Sequence, residues 1–530
     1  MGRTWSLALV AAVVVACGPK RATVAPSPPP PPPREGVPTA SSVPVSSLIV
    51  TIPGAPTAFR LHAGEFANLF YQLDCLARTT RCSRAAYEDL WSRTLGGLDE
   101  GDREALTRWK KLRERYGGRI ERHDDSHDLV LPVHRPGRQI SSRLRLAGYS
   151  ADSAAHYSEH LSLFADPADV AEAVSIVGRF APRFGTWWPT QRAPLARSID
   201  AYAKLFARPD VQATLVEVAQ FYRPVFPKGH VMDIDLIARP SHDSSTSGEL
   251  VGMHSLVEVV DGEPAEGRFS VILHEIFHGW FSSAGDKALV DLAARFAASS
   301  DIDAAAAYSL LDEGLATANG NGKIARLVNP DDYARRIAQP RGLYNDTLVD
   351  GMAKAELAAM DRHAAGTASV FEEGFVAQYL SAFHGAFPVG VPPIGRLHSF
   401  VLLYDKSMRG AYDHLFEIAH PSNLVSDDTL DVKAASDTLE HRGRWPLVLM
   451  VPFSKLDLLR AWSTEIDAPT ARTIAERARA GKPFIVASRR RPRLDLFVLV
   501  AADEPAMIAL VDALAARETP FDALVPGDTK

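Results

Sequence analysis

Cysteine is almost missing from this chain, with three in 530 residues, at positions 17, 75 and 82. Cys75 and Cys82 lack the spacing of a metal-binding or redox pair, so no cysteine-based metal or redox chemistry is expected of them. A strong charge of either sign is missing too. Against 64 acidic residues stand 58 basic ones, a net of −6 with histidine neutral, and so mild a balance argues against a nucleic-acid binder. Beyond the first residues no apolar run reaches the length of a transmembrane helix. There is no G-x-S-x-G nucleophile elbow. Asn319-Gly-Asn-Gly-Lys323 departs from a phosphate-binding loop, because Thr317 replaces its first glycine and Ile324 its Ser or Thr.

What is present begins with a secretory pattern. Met1-Gly-Arg3 supplies a short positive end, Trp5 to Val15 a brief apolar run, and Val14-Val-Ala-Cys17 an ending that resembles a bacterial lipobox. Residues 1–16 are therefore expected to be a lipoprotein signal peptide, with Cys17 as the lipidated residue. The body would then lie in the bacterial cell envelope, outside the cytoplasm and facing the periplasm or the outer membrane. Residues 17–47 are rich in Pro, Ser, Thr and Ala and include six consecutive prolines, Pro28 to Pro33. Such a stretch cannot bury a core and extends as polyproline II, which makes it a tether. In an oxidising compartment Cys75 and Cys82 can bridge locally or remain two thiols.

The rest is too long for one compact core. Residues 48–210 read as mainly helical, with apolar positions such as Phe66, Leu69, Phe70 and Leu73 recurring at three to four. A short strand is expected between Leu129 and Val133. Helices are expected over Asp169–Phe180 and Ala193–Phe206, with the aromatic cluster Phe184-Gly-Thr-Trp-Trp188 between them taken as core. Residues 211–440 hold two strand patterns, Val231–Ala238 and Leu250–Val260, followed by helices. Residues 441–530 read as a small α/β module, and its basic hairpin tip Arg489-Arg-Arg-Pro-Arg493 fits an exposed turn protecting a strand edge. The fold class expected is α+β.

The chemistry is concentrated in His274-Glu-Ile-Phe-His278. On a helix the two histidines are i and i+4, so both imidazoles project from one face and a single metal can bridge them. Bulky apolar residues from Phe269 to Phe281 surround this polar trio, as in a buried helix. Burying two histidines and a glutamate without a partner is costly. Hydrogen bonds within the core are one remedy, and a metal is the other. Downstream, Leu310-Leu-Asp-Glu-Gly-Leu-Ala offers Glu313 as a third ligand, on an Ala-rich helix that can fold back beside the first. Asn319-Gly-Asn-Gly322 is expected to end that helix. Asp301 and Asp303 are the nearest rival ligands, although their place before an apolar helix fits N-capping better.

H-E-x-x-H followed by E-G-x-A resembles the gluzincin branch of the zincin metallopeptidases over residues 269–320. That resemblance implies Zn2+ held by His274, His278 and Glu313, with Glu275 as the general base toward a water whose pKa zinc lowers to about 7. It also implies a mixed sheet whose edge strand aligns an extended peptide or protein substrate, a metal-site helix, and a helical subdomain beyond. The family further has a Tyr or His that stabilises the oxyanion. Tyr379 is one holder for that role, against Tyr344, His254 and His384 and against a packing role for Tyr379. The function expected is therefore a lipid-anchored zinc hydrolase, foremost a metallopeptidase, although the same activated water would serve a non-peptide amide or ester and sequence does not separate the two. A different class of protein, a non-catalytic surface lipoprotein that uses a zincin-like fold for binding or scaffolding, has no need of Glu275.

Overall fold

Ala58-Phe-Arg-Leu-His62 alternates buried and solvent-facing side chains, and this five-residue strand ties the N-terminal third of the chain to the middle third. The computed structural model describes residues 47–80, 82–116, 140–241, 248–301, 303–362, 369–419, 421, 423–435, 438, 445–488 and 495–517. Cys17 with the signal peptide expected before it, the tether expected up to residue 46, the strand expected at 129–133 and the basic tip at 489–493 lie outside those residues. Among the described residues no helix is long and apolar enough to cross a membrane.

The architecture is α+β, with two mixed five-stranded sheets. The first holds β1 (Leu48–Val50), β2 (Ala58–His62), β3 (Val231–Ala238), β4 (Gly248–Val251) and β5 (His254–Val259) in the order β1-β2-β3-β5-β4. The strands β2, β3 and β5 run parallel, whereas β1 and β4 are antiparallel edges. Region 48–210 therefore contributes two strands and is not wholly helical. One hydrophobic core extends from Ile52 to Val391 across the expected boundary at 210. The single strand expected over Leu250–Val260 is a hairpin instead. Val251 pairs with His254, and Gly252, at φ +60°, takes the first position of the two-residue turn. A positive φ only there is the signature of the type II′ turn, which favours glycine.

Around this sheet pack α1 (Glu65–Leu76), α2 (Arg84–Arg93), α3 (Glu100–Tyr116), α4 (Ile140–Tyr149), α5 (Ala154–Leu161), α6 (Pro167–Phe206) and α7 (Pro209–Tyr222). A disulfide joins Cys75 at the end of α1 to Cys82 before α2. Helix α6 runs unbroken through the two helices and the aromatic linker expected from sequence, despite Pro182, Pro189 and Pro194 inside it. Each interior proline costs roughly 3 kcal/mol. Phe180, Phe184, Trp188, Leu195, Ile199, Tyr202 and Phe206 form a buried stripe along the helix, and each such side chain returns about 1.5–3 kcal/mol on burial. That stripe outweighs the prolines.

After the sheet come α8 (Ala265–Ser282), α9 (Asp286–Ala298), α10 (Ala304–Ser309) and α11 (Leu311–Thr317). A π-helix, Ala318–Ile324, continues α11 into α12 (Ala325–Val328), and α13 (Pro330–Ile337), α14 (Thr347–Arg362) and α15 (Phe375–Ala386) follow. Asn319-Gly-Asn-Gly322 thus does not end the helix. Its glycines are used for close packing: a Cβ on Gly320 would lie 2.7 Å from His274 N, and one on Gly322 would lie 2.4 Å from Leu357 Cδ1.

The second sheet has β6 (Ser399–Tyr404), β7 (Asn423–Asp427), β8 (Leu447–Pro452), β9 (Phe484–Ser488) and β10 (Leu496–Ala501) in the order β7-β6-β8-β10-β9, parallel except for β9. Val401, Leu403, Leu449 and Val498 fill a core on one face, and Phe400, Leu402, Val448 and Met450 fill another on the opposite face. Parallel strands covered on both faces read as continuous apolar runs. Because β6 and β7 belong to this sheet, the α/β module begins upstream of residue 441, where composition alone had placed its start. Arg396 bridges the two parts, pairing with Asp303 and, at 3.3 Å, with Asp495.

Candidate metal centre

Helix α8 is apolar nearly all round. Phe269, Ile272, Leu273, Ile276, Phe277, Trp280 and Phe281 are all buried, and so are His274, Glu275 and His278 among them. A helix of that kind belongs inside a core, and its polar trio must find partners there. The partner is α11. His274 Nε2 and His278 Nε2 lie 3.0 Å apart, and each is 3.6 Å from Glu313 Oε2. Donor atoms about 2.1 Å from a tetrahedral zinc lie roughly 3.4 Å from one another, so the three sit at ligand spacing. Glu313 Oε2 is buried without a hydrogen-bond donor, as expected of an atom meant for an ion. The side chains of His274, His278 and Glu313 can therefore hold a metal ion.

The electrostatics agree with that use. Burial works against a charged His278 ring, yet the carboxylates of Asp312 and Glu313 outweigh it and raise the ring's pKa well above the ordinary value. Burial likewise opposes ionisation of Glu313, but His278 and His274 hold its carboxyl well below the usual range. Such a set attracts positive charge. Glu275 differs, since burial pushes its carboxyl up to about 7 against the pull of both histidines. It stands beside the ligands rather than among them, and a Cβ on Gly248 of edge strand β4 would lie 2.9 Å from Glu275 Oε1.

Two features of the site carried no clear signal in the sequence, and a third, Tyr344, was expected there only as one of several oxyanion candidates. Asp312 Oδ1 lies 2.9 Å from His278 Nδ1, which turns Nε2 toward Glu313. Only its adjacency to Glu313 could have hinted at this. Carboxylate partners of this kind typically carry 10–100-fold in metal affinity, so Asp312→Asn is expected to weaken metal binding by about that factor. Competition with a chromophoric chelator measures it, and an unchanged affinity would remove Asp312 from the site. Second, Gly320 lets the π-helix lie against the backbone of His274. Gly320→Ala should cost about 1–3 kcal/mol by overpacking, read from denaturant unfolding, and should displace His274. Gly314, next to Glu313, faces Met352 and the Tyr379 hydroxyl instead.

Third, Tyr344 stacks on His274 with ring centroids 5.8 Å apart. Asp350 fixes the loop that carries it, accepting from Leu343 N at 2.7 Å and Arg341 N at 3.1 Å. Tyr379 instead packs against Phe296 and Phe375, with its hydroxyl buried and not at the surface. His254 lies with His62 and Asp235, and His384 lies 2.7 Å from Asp301. Of the four oxyanion candidates, only Tyr344 has a ring contact with a metal-site residue. Asp301 and Asp303 do not join the centre. Asp303 occupies the N-cap position of α10 but makes no side-chain cap bond, and it pairs with Arg396.

Comparison of the chain with models of protein families, with curated proteins and with solved structures returned no match. The reading of this centre therefore rests on its own geometry. Edge strand β4 is also fixed in place next to it. Glu249 pairs with Arg145 of α4 and accepts from Thr80 at 2.9 Å, so the helical layer holds the strand beside Glu275.

Proposed function

We propose that the protein is a zinc-dependent metallopeptidase of gluzincin-like organisation, anchored to the bacterial cell envelope through lipid on Cys17. The observation that carries this reading is the convergence of His274, His278 and Glu313 with the buried Glu275 beside an edge strand. Zinc held by those three side chains supplies a Lewis acid and lowers the pKa of a water into the neutral range. Glu275 accepts a proton at its carboxylate and returns it to the departing amine, work for which a pKa near the operating pH is best suited. Burial raises the Glu275 carboxyl toward that range in the metal-free protein. Among the described residues β4 pairs with β5 alone, and its other edge offers main-chain groups to an extended peptide. Stacked on His274, Tyr344 orients that ring. The Cys75–Cys82 disulfide supports a compartment outside the cytoplasm.

Chelation followed by measured zinc return is the test. Cleavage of an unfolded protein substrate should disappear in the metal-free protein and return in proportion to zinc bound, up to one equivalent at this centre. Cleavage that survives full removal of metal would contradict the reading.

A further inference from the structure

A second group of metal-binding side chains lies on the opposite face of the first sheet. Ser255 of β5 donates toward Ile272 O of α8 at 3.4 Å, so its neighbour His254 points away from that helix. Met232 of β3 likewise lies against Gly279 of α8, so Asp233 and Asp235 project to the far side. There the register sets His62 beside Asp235, and Asp233 beside His254. Three adjacent parallel strands thus place two imidazoles and two carboxylates together.

Their geometry is not that of an ordinary ion-pair network. Asp235 is 1% exposed, and its Oδ2 takes His254 Nδ1 at 2.8 Å. Its Oδ1 lies 3.0 Å from His62 Nε2, yet both atoms are buried and neither has a hydrogen-bond partner. Two polar atoms that touch without a hydrogen bond converge on a common point, as ligands do around an ion. Asp233 closes one side at 3.6 Å from His62 Nε2 and 3.7 Å from His254 Nε2, while Arg60 neutralises it. That leaves Oδ1 of Asp235 open to an ion, while its Oδ2 holds His254 Nδ1 and Ser150 Oγ lies 3.2 Å from His254 Nε2. An apolar sheet face would have avoided the desolvation of this cluster.

We propose that His62, Asp235 and His254 form a second metal site, for a borderline divalent cation of the zinc type. The mixed nitrogen and oxygen donor set selects such ions over calcium or magnesium, which prefer oxygen alone. With ligands on β2, β3 and β5, the ion fastens β2 to the strands that support α8. Its role is structural and independent of hydrolysis.

The test is zinc stoichiometry by equilibrium dialysis and elemental analysis on the full soluble body. The parent should hold two zinc ions per chain. Glu313→Ala should hold one, and His62→Ala should hold one and keep its hydrolytic activity. Combining the two should leave none. If the hydrolytic reading fails and this one stands, the parent and Glu313→Ala each hold one zinc and His62→Ala holds none. If His62→Ala and Asp235→Asn both retain the parent's stoichiometry, the proposal is overturned. X-ray absorption of the His274→Ala, His278→Ala protein with one equivalent of zinc removes both imidazoles of the first centre and does not depend on those variants folding. A shell with two imidazoles supports the site, and an oxygen-only shell overturns it.

Discussion

Glu275→Gln is expected to slow hydrolysis by about 10²–10⁴-fold, the usual contribution of a positioned general base, while zinc content stays at the parent's level. Glutamine keeps the size of the side chain but cannot take a proton. The ligand atoms belong to His274, His278 and Glu313, so the variant should still bind metal. Stability supplies an independent check. In the metal-free protein, burial first of all raises the Glu275 carboxyl to about 7 from an ordinary 4.5. Between those values the folded state binds the proton more tightly than the unfolded chain does, so its stabilising contribution is full below about 4.5 and is lost as pH rises through about 7. Metal-free Glu275→Gln should therefore melt above the metal-free parent at pH 8, and the gap should narrow toward pH 5. Equal melting temperatures across that range would show that Glu275 is not desolvated.

Asp74→Ala should destabilise the protein by about 3–5 kcal/mol, the usual result of removing one partner from a buried ion pair. Asp74 is fully buried, with Arg113 Nε at 3.2 Å and Arg145 Nε at 3.5 Å, and it accepts from Trp109 Nε1 at 2.8 Å. Burial already holds Arg113 below its ordinary pKa even with Asp74 present. Without Asp74, two enclosed guanidiniums lose their shared counter-charge. Arg145 also holds Glu249 on β4, so the loss should loosen the strand beside Glu275 and raise KM in the folded fraction. Asp89→Ala, which removes an exposed pair with Arg93, is the control and should leave unfolding in urea unchanged.

The candidate metal centre was more legible in the sequence than the fold around it. His274, Glu275 and His278 lie close together on one helix, where a 3.6-residue period places them without knowledge of the rest. Glu313 could be reached because α9 runs over Asp286–Ala298 as its apolar spacing predicts. What failed were inferences from local breakers. Proline and glycine signal interruption, yet α6 runs through three prolines and the π-helix runs through Gly320 and Gly322. In both places tertiary burial outweighs local propensity. Short β2 was hidden because five residues of alternation carry little signal. Its partner β3 lies far along the chain, and register between distant strands is not written in either one. The second metal group stayed hidden for the same reason, since His62, Asp235 and His254 meet only through that register.

The proposed hydrolysis is tested most directly by a peptide-library digest read by mass spectrometry with zinc-loaded parent and zinc-loaded Glu275→Gln side by side. The parent should generate new termini with a sequence preference around the cut, and the variant should generate none at equal zinc content. A zinc-loaded parent that leaves the library intact, or a variant that cuts it as fast, would contradict the proposed hydrolysis.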